Sequence, residues 1–126
     1  MKIIHYCQHV LGIGHFFRSL EIARALNRHE VILVTGGPSV EADLPSHVAE
    51  YRLPGLMMDS NFGELLPIDE TRSLAEIQEE RREILYRLFV ETAPDLLLVE
   101  LYPFGRKRFS FELIPLFEAT VHNEFD

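Results

Sequence analysis

The chain has 126 residues, 47% of them apolar and 25% charged. That is one domain of ordinary globular composition, able to bury about two thirds of its unfolded surface, and not a disordered, collagenous or coiled-coil chain. The 20 acidic residues against 12 basic ones leave a net charge of −8, which repels a phosphate backbone and argues against general nucleic-acid binding, while a single cysteine, Cys7, excludes an internal disulfide and fits a reducing compartment.

Met1 to His9 has too short an apolar run and no small-residue cleavage site for a signal peptide. No segment reaches about 18 uninterrupted apolar residues, so no membrane span is expected. The reading is a soluble cytoplasmic protein.

In chain order, Ile3 to Cys7 is an apolar run suited to a buried strand. The turn Leu11-Gly12-Ile13-Gly14 follows. Phe16, Phe17, Leu20, Ala23 and Leu26 then recur at helical spacing, with Arg18, Glu21, Arg24 and Arg28 opposite, which predicts an amphipathic helix from about His15 to about Arg28. Val31 to Thr35 is the second strand, closed by Gly36-Gly37-Pro38. Ser39 to Leu44 has room for only a short helical stretch before Pro45. Val48 to Leu53 alternates loosely as a third strand, stopped by Pro54-Gly55.

Residues 54–70 show no steady period and read as a long loop, a feature that is usually functional in a compact domain. From Thr71 to Ala93 the helical signal is strong: Leu74, Ile77, Ile84, Leu85, Leu88 and Phe89 form one stripe. Thr71 or Ser73 caps it, with Glu76 as the capping-box partner of Ser73, and Pro94 ends it. Arg81 interrupts the stripe and reads as a snorkelling or ion-paired side chain. Leu96 to Val99 is the fourth strand, and Phe111 to Ala119 is helical.

Apolar strands alternating with helices predict an α/β domain: a Rossmann-like open parallel sheet with helices on both faces. A last helix of such a fold normally feeds another strand, yet only Thr120 to Asp126 remain. The expectation is one domain over residues 1–126, cut short before its last strand or strands. The bare sheet edge this leaves predicts self-association.

Ligands of open parallel sheets sit beyond the carboxyl ends of the strands. His9 to His15, Gly36 to Ser39, the 54–70 loop and Glu100 to Arg108 all fall there. Gly12-Ile13-Gly14-His15 is the sharpest local feature, because glycines allow a tight turn and a helix start offers unpaired N–H groups to an anion. It is not a dinucleotide fingerprint, since Phe17 stands where a third glycine or alanine belongs and Thr35-Gly36 where an acidic residue does. No Walker A sequence occurs. The turn is either a binding loop or purely structural.

His15, at the positive end of a helix, is biased towards neutral imidazole, and is either a general base or a capping histidine without chemistry. His5, Cys7 and His9 alternate onto one strand face, but their ~6.5 Å spacing is awkward for one tetrahedral ion. No metal and no cofactor is assigned, and Cys7 reads as a core residue. His9, at the strand end, reaches the site. Arg106-Lys107-Arg108 is the only basic cluster; it either contacts an anion or pairs with Glu100 and Glu112.

The stretch Tyr6-Cys7-Gln8-His9-Val10-Leu11-Gly12-Ile13-Gly14-His15-Phe16-Phe17-Arg18-Ser19-Leu20 resembles predicted glycosyltransferases of the GT-B fold. The group it resembles is bacterial and related to the transferase that adds N-acetylglucosamine to the lipid-linked cell-wall precursor. Leu98 to Phe109 is similar to a second hallmark of that group, and Thr35-Gly36-Gly37-Pro38 and Arg52-Leu53-Pro54-Gly55-Leu56 fit as well. The resemblance runs from about residue 2 to about residue 119.

It implies one half of a GT-B fold, the N-terminal, acceptor-side domain. The C-terminal domain that holds most of the nucleotide-sugar donor is absent from this chain. By the same resemblance, Gly12 and Gly14 shape the first loop, with His9 beside it. His15 matches a histidine that contacts substrate or acts as base. The Glu100 to Arg108 loop, with Glu100 and Arg106 in it, borders the acceptor side, while Gly37 is placed at the substrate edge by its position after the second strand. Leu11 and Ile13 stand where the cell-wall enzyme has further glycines, so its lipid-diphosphate site does not carry over.

The implied function is transfer of a sugar from a nucleotide-sugar donor to an unknown acceptor, without activity in this chain alone. The alternative is a stand-alone α/β module that binds a small anionic metabolite or a partner chain.

Overall fold

The computed structural model describes residues 1–8, 14–58, 64–100 and 109–121, with the side chains of His15 and of residues 119–121 outside that description. Four parallel strands form the central sheet: β1 (Lys2–Cys7), β2 (Glu30–Thr35), β3 (Val48–Arg52) and β6 (Leu96–Glu100), in the spatial order β3-β2-β1-β6. The registers run in step, with Ile3 opposite Val31 and Leu96, and Tyr6 opposite Val34 and Val99. Two short strands, β4 (Leu56–Met58) and β5 (Leu65–Pro67), make a separate antiparallel pair.

Strand alternation sorts β1 onto two cores. Ile3 and Cys7 pack with Val31 and Leu33 of β2 under α1 (Gly14–Ala25), whose Phe16, Leu20 and Ala23 are buried. Ile4 and Tyr6 pack on the other face with α2 (Leu74–Thr92) and α3 (Ser110–Val121), through Ile77, Leu85, Leu88, Phe89, Leu113 and Leu116. The protein is therefore a mixed α/β, Rossmann-like unit whose parallel sheet has helices on both faces. Among the described residues no helix is long and apolar enough to cross a membrane.

Three elements differ from the sequence expectation. Ser39 to Leu44 forms no helix. Its Val40, Ala42 and Leu44 lie at every second position and pack towards the α1 core, so the period is that of extended chain. His47 Nε2 meets the Ala23 carbonyl at 2.8 Å and fastens this segment to the end of α1.

Residues 54–70 are not wholly loop. The β4–β5 pair buries Leu56 and Leu65 in the α2–α3 core, and the Leu56 N–H donates to the Gly36 carbonyl at 2.7 Å. Finally, α1 stops at Ala25 rather than Arg28. Its last residues close in three-residue turns, with Leu26 N–H to Ala23 O at 3.1 Å and His29 N–H to Leu26 O at 3.0 Å.

The caps of α2 follow the sequence. Ser73 Oγ accepts the Glu76 N–H at 3.1 Å and donates to Glu76 Oε1 at 3.2 Å. Ala93 ends the helix in the left-handed region, φ 46°, with its N–H on the Phe89 carbonyl at 2.9 Å, immediately before Pro94. On its outer side β6 pairs with no strand among the described residues, and Leu96 is 44% exposed.

Candidate functional site

The chain lays β2 and then β3 to one side of β1, and places β6 on the other. The strand order thus reverses between β1 and β6, the point at which open parallel sheets leave a crevice beyond their carboxyl ends. Cys7 and Glu100 are the last residues of the two strands and stand opposite one another. The chain re-enters as α1 at Gly14.

Of the residues expected here, Gly14 is the first of α1 and exposed, and a Cβ built on it meets nothing within 4 Å among the described residues. His15 is the second residue of α1, as predicted, and its side chain lies outside the described residues. His9, Gly12 and Arg106 also lie outside them. Glu100 ends β6 at the crevice. Gly37 is buried beyond β2, away from β6, with its carbonyl accepting from Arg52 Nη2 at 2.8 Å.

Glu100 is the centre of a small polar cluster under α1. Its Oε2 accepts from Ser19 Oγ of α1. Its Oε1 stands 3.2 Å from Nε2 of His5, which is fully buried in the middle of β1. That approach is not an aligned hydrogen bond: Glu100 Oε1 and both His5 ring nitrogens are buried without a hydrogen-bond partner among the described residues. Burial holds His5 below the usual histidine range, against the opposing pull of the Glu100 carboxylate.

Cys7 lies on the same strand face. Burial, aided by the Glu100 charge and opposed by Ser19, pushes its thiol up to about 11. His5 and Cys7 do share a face as the alternation required, and among the described residues no group of three His, Cys, Asp or Glu side chains is placed to hold a metal ion.

The other face of the same sheet end carries a second polar assembly, centred on Arg81. The sequence offered snorkelling or ion pairing for this residue, and it is ion-paired. Its Nε and Nη2 reach Glu112 Oε2 and Oε1 of α3, each at 2.9 Å. Nη1 donates to the carbonyls of Gly36 at 3.0 Å and Pro54 at 2.9 Å, and Nη2 also donates to Gln8 Oε1 at 2.7 Å. All five guanidinium donors are satisfied. Tyr6 Oη donates to Glu112 as well, and the Phe109 ring lies 5.5 Å from Arg81 Cζ.

Burial disfavours the Arg81 charge, but the Glu112 carboxylate outweighs it and holds the guanidinium above its ordinary value. Burial, reinforced by the Glu112 charge, holds the Tyr6 phenol well above its own. Gln8 and Gly36 follow β1 and β2 directly and Pro54 lies two residues after β3, so one side chain ties together the starts of three loops on the ligand edge. Neither the protein-family models nor the curated proteins contain a match to this chain.

Proposed function

We propose that this protein is the acceptor-side half of a GT-B glycosyltransferase, with its ligand at the β1/β6 crevice. The observation that carries the reading is the reversal of strand order between β1 and β6, with α1 starting beside it. The start of α1 at Gly14 and His15 and the end of β6 at Glu100 fall within two of the stretches that resemble the glycosyltransferase group, and both lie on the edge where such folds bind ligands.

In this reading His15 removes the proton of an acceptor hydroxyl. The oxygen forms a bond to the anomeric carbon of the donor sugar as the bond to the nucleoside diphosphate breaks, and the diphosphate leaves with the electron pair. A second Rossmann-like domain of the enzyme holds the donor, so this chain alone does not turn over. The outer edge of β6, which pairs with no strand among the described residues, is the surface through which copies of the chain associate, and a strictly monomeric sedimentation profile at high concentration counts against that part.

Calorimetry of the chain with nucleotide sugars and free nucleotides tests the reading. Weak or absent binding is expected, since the donor site belongs to the other domain. Tight binding by this chain alone overturns it in favour of a stand-alone anion-binding module. In the two-domain enzyme, His15→Ala is expected to lower turnover ~10²–10⁴-fold; a well-folded variant with near-normal turnover removes His15 from the mechanism.

A further inference from the structure

The His5–Glu100 pair is not explained by packing. A fully buried histidine with neither ring nitrogen hydrogen-bonded is costly, and so is a buried carboxylate oxygen without a partner. Two of these atoms, His5 Nε2 and Glu100 Oε1, face each other under α1, below the strand end at which the β1–β6 pairing finishes. Oε1 is itself buried against His5, yet the Glu100 side chain as a whole is 25% exposed while His5 behind it is wholly covered. Ser19 already occupies Oε2 and fixes the rotation of the group.

We infer that Glu100 is a hydroxyl-binding residue for an uncharged, polyhydroxylated ligand such as a glycoside, and that His5 is the positioning residue that holds its carboxylate from behind. This rests on the acceptor-side reading and gives its site a ligand class. A carboxylate only accepts hydrogen bonds, so the group it takes is a donor, and sugar hydroxyls are donors. A phosphate at the same oxygens is repelled. Among the described residues, His5 in its Nε2–H form has Glu100 Oε1 within reach, and a small rotation turns the 3.2 Å approach into a hydrogen bond.

The surroundings of His5 contain little else to hold it. On its own strand the neighbour is the Cys7 thiol, α1 contributes the Ser19 hydroxyl, β2 contributes apolar Val31 and Leu33, and β6 contributes apolar Leu98 before Glu100. Among the described residues, Glu100 is the charged group that bears on it.

Imidazole ¹⁵N NMR on this chain tests the pair first. His5 is expected to carry its proton on Nε2 and, in Glu100→Gln, to titrate at lower pH because the anion that favours its charged form is gone. A His5 signal and titration unchanged in a folded Glu100→Gln overturn the pair. Ligand-observed NMR with methyl glycosides at millimolar concentration tests the hydroxyl role. Wild-type binding is expected, weakened about tenfold in Glu100→Gln and less in His5→Gln.

Equal glycoside binding by wild type and Glu100→Gln overturns the hydroxyl role and leaves the acceptor-side reading intact. Absence of glycoside binding to the wild type also overturns that role. Tight binding of nucleotide sugars without glycosides overturns the acceptor-side reading itself.

Discussion

Arg81 and Glu112 meet in a two-pronged ion pair with both side chains wholly buried, 31 residues apart in sequence and on different helices. Breaking such a pair from one side leaves a charge in the core without a partner. Arg81→Met is expected to cost about 3–5 kcal/mol of folding stability, because it strands the Glu112 carboxylate together with the Gly36 and Pro54 carbonyls. Arg81→Met combined with Glu112→Leu is expected to cost less than the sum of the two single changes. Urea unfolding of the four proteins checks both statements, and simple additivity sinks the coupling.

Gly36 owes its identity to the same guanidinium. A Cβ there comes within 2.7 Å of Gln8 Oε1 and closer still to Arg81 Nη1. Gly36→Ala therefore pushes on atoms that five hydrogen bonds hold in place, at an expected cost of about 1–3 kcal/mol. Gly14→Ala meets open space and is expected to stay within about 0.5 kcal/mol of the parent. A thermal melt of the two variants side by side separates them, and equal losses contradict the packing argument.

What the sequence revealed, and what it hid, follows from how each feature is encoded. Ile3 to Cys7, Val31 to Thr35 and the Ile77–Leu88 stripe are long periodic signals and fall in the elements expected of them. The β4–β5 pair was illegible because each strand has three residues and buries a single leucine, Leu56 or Leu65, too little for any period to show. Val40, Ala42 and Leu44 carried a period of two that the short space before Pro45 disguised.

At the site, charge was visible but pairing was not. Arg81 stood out in its stripe, yet nothing local names Glu112 among the acidic residues as its partner. His5 was legible as a polar residue sharing a strand face with Cys7 and His9. Its relation to Glu100 exists only once β6 lies beside β1.

The ends of α2 give a pair of opposite effects. Ser73→Ala removes the oxygen that accepts the Glu76 N–H and is expected to cost about 1 kcal/mol. Ala93 holds a left-handed conformation that its Cβ disfavours. Ala93→Gly relieves that strain and is expected to gain about 0.5–1 kcal/mol, part of it offset by a more flexible unfolded chain. Chemical denaturation of both variants checks the signs, and a destabilising Ala93→Gly contradicts the strain argument.

Cys7 is expected to be inert in the folded protein. With its thiol at about 11 and its side chain buried, the reactive thiolate is scarce near neutral pH. Reaction with a chromogenic disulfide at mildly alkaline pH is expected to run at least about a hundredfold slower in buffer than in denaturant. Comparable rates mean that the thiol is open to solvent and that the cluster around Ser19 and Glu100 is not closed as described.

His5 makes stability depend on pH in a direction that can be worked out. Its unfolded form takes a proton near 6.5, whereas burial makes the folded form resist protonation to lower pH. Between those two points the unfolded state binds more protons, so stability falls as pH drops below 6.5 and the contribution levels off once folded His5 also protonates. Above 6.5 neither form is charged and His5 adds no slope. Glu100 favours the charged form, so Glu100→Gln is expected to extend the window of loss to still lower pH. Unfolding free energies measured by urea at a series of pH values, for the wild type, His5→Asn and Glu100→Gln, test this. The loss just below 6.5 is expected to shrink in His5→Asn. An identical pH profile in wild type and His5→Asn means that His5 is not the buried neutral group the cluster requires.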